Sequence, residues 1–148
     1  MKALPLPRGV HNVNPYLIVP DPDGLVDFLV RVFEAQVGQR SVFEGVTMHA
    51  EVRIGDSLVM IGKAHGPAVP AMLYTYVDDC DAAYARAIAA GAESLMAPAD
   101  MFYGDRHGGV KDACGNSWWI ATHIEDVAPD ELARRHEAEA KRRKAGQT

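Results

Sequence analysis

The chain repeats itself. Tyr16, Val19, Asp21, Asp23, His49 and Val52 each recur fifty-eight positions later, as Tyr74, Val77, Asp79, Asp81, His107 and Val110. Further on, GDSLVMI from Gly55 aligns with GNSWWIA from Gly115 at an offset of sixty. A chain of 148 residues with two copies of one pattern must build one core from two similar units, neither of which buries much surface alone.

Each copy predicts the same order of elements. NVNPYLIV (12–19) reads as a strand, and the PDPDG that follows supplies aspartates to cap a helix. Leu25, Val26, Phe28, Leu29, Val32 and Phe33 recur at helical spacing, and Gly38 is expected to end that helix. RSVFEG, TMHAEVRI (47–54) and SLVMIG are strand-like, the last two joined by a hairpin turn at Gly55-Asp56. HGPAVPAM, with Pro67 and Pro70, reads as a linker. The plan then starts again: MLYTYV as a strand, DDCDAAYARAIAAG as a capped helix ending at Gly91, then strands around ESLMAP, RHGGVK and NSWWIATH. The expected class is α+β, two βαβββ modules over about 11–64 and 71–125 with a linker at 65–70. They form a single domain of residues 1–128, followed by a charged tail at 129–148. The tail carries i,i+4 pairs Glu131–Arg135, Glu137–Lys141 and Glu139–Arg143, so a solvated helix is expected, with a partner-binding role as the alternative.

Charge and composition narrow the partners. The net charge is −5. The tail holds six basic against four acidic side chains, +2, which leaves −7 for the body. An acidic body argues against nucleic acid and favours neutral or cationic small molecules. No apolar run approaches the ~20 residues of a membrane span, and the N-terminal segment lacks a signal peptide's apolar stretch, so a cytoplasmic protein without membrane contact is expected. Cys80 and Cys114 form no CxxC pair and read as reduced thiols; Cys114 as a nucleophile is the weaker reading. There is no P-loop, no dinucleotide fingerprint and no nucleophile elbow.

Two βαβββ modules in this length, with NPYLIV, MHAEVRIGDSLVMI, YVDDCDAAYARAIAAGA, FYGDRHGGVKDACGNSWWIATHIEDV and PDELARR, resemble the vicinal oxygen chelate superfamily. That group holds glyoxalase I, extradiol dioxygenases, fosfomycin resistance enzymes and bleomycin-binding proteins, and the nearest likeness is to its PhnB-like branch. Two departures are visible: DACGN (112–116) stands where a DPFGH-like turn is usual, and Trp119 where a smaller or polar residue is expected. The resemblance implies a U-shaped mixed sheet with helices on the convex face, a ligand in the concave trough, and a homodimer that often pairs modules between chains.

Strand alternation then sorts the side chains. Ala50, Val52, Ile54 and Trp118 should face the helices. Asn14, Tyr16, His49, Glu51, Arg53, Met60, Met72, Tyr74, Tyr76, His107, Lys111, Trp119 and His123 should face the trough, with Tyr103 and Arg106 reaching it from a loop.

Metal-dependent members of the family bind one divalent ion through His and Glu on the first and last strands of each module. Those positions fall here on Asn14, Met60, Met72 and Trp119, a donor set that cannot hold such an ion. No metal or other cofactor is expected. His49, Glu51 and His107 are the one alternative ligand set. The expected function is metal-free binding of a small aromatic or amphipathic molecule, with antibiotic sequestration as the biological setting. The alternative is a metal-independent isomerase or lyase, with Glu51 and His49 as acid and base and Arg53 or Lys111 steadying negative charge.

Overall fold

Each copy of the repeat folds into its own four-stranded sheet. The computed structural model describes residues 3–147. The first module holds β1 (Tyr16–Val19), α1 (Pro22–Phe33), β2 (Gln36–Phe43), β3 (Val46–Ile54) and β4 (Ser57–Lys63). The second holds β5 (Met72–Tyr76), α2 (Cys80–Ala89), β6 (Glu93–Asp100), β7 (Asp105–Lys111) and β8 (Ser117–His123), and α3 (Pro129–Gly146) follows. The strand orders are β1-β4-β3-β2 and β5-β8-β7-β6. In both sheets the outer pair, β1–β4 or β5–β8, is parallel and the rest antiparallel.

The repeated aspartates do the same local job in both modules. Asp21 caps α1 by accepting from the Gly24 backbone N–H at 3.0 Å, and Asp79 caps α2 by accepting from Ala82 at 3.1 Å. Helix α1 ends with its last apolar residue, Phe33, and ahead of the expected stop at Gly38. Glu34 takes a left-handed conformation, φ 55°, and its N–H bonds back to Leu29, so the chain leaves the helix at Phe33. Gly38, expected to stop the helix, lies inside β2.

Helices α1 and α2 pack together and against the sheets. Leu25, Leu29 and Val32 of α1, Ala83 and Ala87 of α2, Val19, Val52 and Ile61 of the first sheet, and Val110, Trp118 and Ile120 of the second lie in one continuous apolar cluster. Three alignments cross between modules. Phe33 meets Trp118 at 5.4 Å, the Arg86 guanidinium donates twice to the Val32 carbonyl, and Cys114 Sγ lies 3.9 Å from the Asp21 carbonyl. Ala50 and Val52 are fully buried and Ile54 partly so, as alternation predicts.

The strand registers correct the repeat by one residue. Val52 pairs with Val59, and its counterpart Val110 pairs with Trp118. The offset past the turn is therefore fifty-nine, not sixty, and Met60 corresponds to Trp119. The matched glycines 55 and 115 misled the alignment, because the second turn is differently built. The buried Asp112 carboxylate accepts from the backbone N–H groups of Cys114 and Asn116, from the Asn116 amide, and from Trp118 Nε1 at 2.8 Å. DACGN is thus a turn wrapped around one carboxylate.

The tail helix forms as its charge pattern predicts, with the pairs Glu131–Arg135, Glu137–Lys141 and Glu139–Arg143 all in contact. It is also anchored. Arg135 pairs with Glu125 at 2.8 Å and donates to the Phe102 carbonyl, while His136 meets the Phe102 ring edge-on at 4.8 Å. Among the described residues no helix is long and apolar enough to cross a membrane.

Candidate functional site

The face of each sheet opposite the helices carries the polar and aromatic residues. On the second sheet they form a chain of rings. Tyr74 from β5 meets Tyr76 at 5.4 Å and His107 of β7 at 5.6 Å. His107 lies 5.3 Å from Trp119 of β8, tilted by 33°, and 6.0 Å from Tyr103 in the preceding loop. Tyr103 hydroxyl and His107 Nε2 are 3.3 Å apart. Gly109 explains how Trp119 fits: a Cβ at that residue would sit 2.4 Å from the indole ring, so the ring occupies the space a side chain would take. Burial pushes the His107 imidazole below its ordinary value, with Asp105 opposing. His107 Nδ1 is buried without a hydrogen-bond partner.

A buried carboxylate anchors this face. Asp105, only 4% exposed, accepts hydrogen bonds from the hydroxyls of both Tyr74 and Tyr76 at 2.8 Å, and His123 Nδ1 lies 2.9 Å from its other oxygen. His123 Nε2 reaches Asp126 at 2.7 Å. Burial would raise the Asp105 carboxyl, but the bonds from His123, Tyr74 and Tyr76 outweigh it and hold it below the usual range. The two carboxylates raise His123 in turn. Burial, then the Tyr103 hydroxyl and Asp105, holds Tyr74 far above an ordinary phenol. Asp105 reads in the sequence as a residue that orders a loop. Counting back two from His107 places it on the same face, the signal that could have found it.

The first sheet presents Tyr16, His49, Glu51 and Met60. Tyr16 hydroxyl lies 3.1 Å from His49 Nδ1, and His49 Nε2 lies 3.4 Å from Glu51 Oε1. Met60 is the β4 partner of both Tyr16 and Glu51.

Several expected site residues lie elsewhere. Arg106 points to the helix side, where it pairs with Asp81 at 2.8 Å and Asp100 at 3.0 Å, because it alternates with Asp105 and His107. Arg53 makes no hydrogen bond with His49 or Glu51; its guanidinium lies against Gly9. Lys111 is exposed at the far end of β7, paired across the ladder with Ser117. His49 and Glu51 do not meet His107, which belongs to the other sheet's ring chain, so that alternative ligand set is not assembled. Burial and Asp112 push the Cys114 thiol up, the opposite of an activated nucleophile.

Among the described residues, no hydrogen bond, ion pair or ring contact joins the two faces. Each is open, with Tyr16, Met72, Tyr74 and Tyr76 all exposed. A cavity of about 300 Å³ at the seam between modules is lined by Pro15, Ile54, Val59, Leu73, Tyr76 and Trp118, among others.

This duplicated architecture has relatives. The family model described as the glyoxalase/bleomycin resistance protein/dioxygenase superfamily matches residues 9–120. The chain belongs to that superfamily. An uncharacterized protein of Mycobacterium tuberculosis, Rv0887c, is 32% identical over 134 residues, covering 81% of this chain and 79% of its own. Among solved structures, TioX from Micromonospora sp. ML1 superposes with a TM-score of 0.66 at 28% identity, covering 76% of this chain and all of TioX. The fosfomycin resistance protein FosX from Mesorhizobium loti shares the fold, with a TM-score of 0.61 at 19% identity over 82% of this chain and 97% of that one.

The positions that the superfamily resemblance assigns to a metal have surroundings of their own. Asn14 donates its side-chain N–H to the His11 carbonyl at 2.7 Å. Met60 and Met72 offer only thioethers, and Met72 is exposed. The Trp119 ring lies on Gly109 and beside His107. An amide, two thioethers and an indole do not fit a hard or borderline divalent ion. Among the described residues, no group of three or more His, Cys, Asp or Glu is placed to hold one.

Proposed function

We propose that this protein is a metal-independent, PhnB-like binder of a small planar molecule, which lies against the ring face formed by Tyr74, Tyr103, His107 and Trp119. The observation that supports this reading is the Trp119 indole seated over Gly109, at the position to which the superfamily resemblance assigns a metal ligand. Flat rings presented side by side match aromatic ligands in shape and polarisability. Antibiotic sequestration in the cytoplasm is the biological role that the superfamily's bleomycin resistance members support.

The ligand is enclosed, on this reading, by a second copy of the chain. Val13, Tyr16, Val69, Met72, Tyr74 and Tyr76 are exposed, and exposed apolar and aromatic side chains suit a protein–protein contact. A two-fold dimer would set the first face of one protomer, with Asn14, Tyr16, His49, Glu51 and Met60, across from the second face of its partner. Sedimentation should give twice the 16.1 kDa chain mass; a monomer at micromolar concentration would contradict it.

A thermal-shift screen of planar compounds tests the binding. A ligand at ~100 times its dissociation constant adds ~2.7 kcal/mol, a readily measured shift. Hits should be recovered chemically unchanged, and Trp119→Ala should abolish their shift while still folding. Hits that stabilise Trp119→Ala equally would place the ligand elsewhere.

A further inference from the structure

Tyr16 and His49 lie on strands that are not neighbours, since β4 runs between β1 and β3. Their hydrogen bond exists because of Gly62, the β4 residue paired with His49. A Cβ at Gly62 would lie 2.8 Å from Tyr16 Cε1 and 3.0 Å from its hydroxyl, so the phenol crosses the strand through the space of a missing side chain. Gly62 has no positive φ to account for it.

The string can be read with His49 in its Nε2–H tautomer. Tyr16 O–H donates to His49 Nδ1 at 3.1 Å, and His49 Nε2–H donates to Glu51 at 3.4 Å. Hydroxyl, imidazole and carboxylate in that order are the parts of an acid–base relay, recognised by geometry and role. The hydroxyl end is accessible, because Tyr16 is half exposed while His49 and Glu51 are about three-quarters covered.

The second module shows that the fold does not require this string. Tyr74 and His107 occupy the equivalent positions, yet Tyr74 gives its proton to Asp105, His107 Nδ1 has no partner, and Gly109 stands where Glu51 would be. One copy of the duplicated scaffold keeps the relay and the other has become a ring face.

We infer that Tyr16, His49 and Glu51 form a proton-transfer site for small planar compounds with an acidic C–H bond. The Tyr16 oxygen accepts the ligand's proton as its own moves to His49 Nδ1, and the imidazolium formed is held by the Glu51 carboxylate. Returning a proton at a different ligand atom completes a proton shift, which consumes no co-reactant. The site stands on the first module's geometry and does not depend on the ring face being the ligand's seat.

The test uses the full chain with 5-nitrobenzisoxazole, a planar heterocycle. Loss of its one C3 proton breaks the ring N–O bond and yields a coloured cyanophenolate. The protein should accelerate ring opening above protein-free buffer, with a primary isotope effect for the C3-deuterated probe. Tyr16→Phe, which removes one oxygen, and Glu51→Gln should each lower the rate about 100-fold without lowering the melting temperature. Gly62→Val, which keeps all three groups and blocks the phenol's path, should lower the rate as far, at some cost in melting temperature from overpacking a buried strand position. Equal rates in Tyr16→Phe and wild type, or no acceleration over buffer, would overturn the assignment. Either result can occur with the binding screen positive or negative, so the two readings fail separately.

Discussion

Replacing Trp118 with alanine is expected to remove about 3–5 kcal/mol of stability, the usual cost of emptying a large aromatic site in a packed core. Trp118 is fully buried, meets Phe33 across the module boundary, and gives its indole proton to Asp112. The substitution therefore opens a cavity where the modules meet and removes a donor from the carboxylate that organises the second turn. Trp118→Phe keeps most of the volume and loses only the hydrogen bond, so it should cost roughly 1–2 kcal/mol. Urea denaturation of the three proteins measures both. A cost below 1 kcal/mol for the alanine variant would mean that the modules do not share a core.

Asp105→Ala should cost about 3 kcal/mol, because a buried carboxylate with three charge-assisted bonds disappears and its donors lose their acceptor. It should also release Tyr74 and Tyr76 from their fixed orientation and so weaken planar-ligand binding on the ring face. The pH dependence has a definite sign. His123 is raised above its ordinary value of 6.5, so its contribution is complete below pH 6.5 and is lost as pH rises through the raised value. Asp105 is lowered from 3.8, so its contribution is present above pH 3.8 and is lost as pH falls through the lowered value. The stability difference between wild type and Asp105→Ala should therefore be largest between those limits and shrink on the alkaline side. A difference that grows from pH 7 to pH 9 would contradict the assignment of His123 as the charged partner.

The repeat made the architecture legible from residues alone. Paired aspartates marked both helix starts, and alternation separated Trp118 from Trp119 because neighbours on a strand must face opposite ways. Alternation also held what was overlooked: Asp105 shares a face with His107, and Arg106 does not. Other features lay beyond a one-dimensional reading. The Tyr16–His49 bond needs the order β1-β4-β3, and the vacant space at Gly62 has meaning only once a phenol is seen crossing it. The same holds for Gly109 under Trp119. Arg53 and Lys111 have the parity of their strands but not the reach, since one lies against Gly9 and the other at the strand's open end. The end of α1 ahead of Gly38 turned on Glu34 accepting a left-handed conformation that glycine more often takes.

The proposed replacement of a metal centre by a ring face is tested most directly by calorimetric titration. Chelator-treated protein would be titrated with the strongest planar hit from the screen, and separately with zinc, manganese and nickel salts. The account predicts one planar ligand bound per chain with chelator present, loss of that binding in Trp119→Ala, and no stoichiometric uptake of any of the three ions. One divalent ion bound per chain, with planar-ligand binding abolished by chelator and restored by that ion, would contradict it.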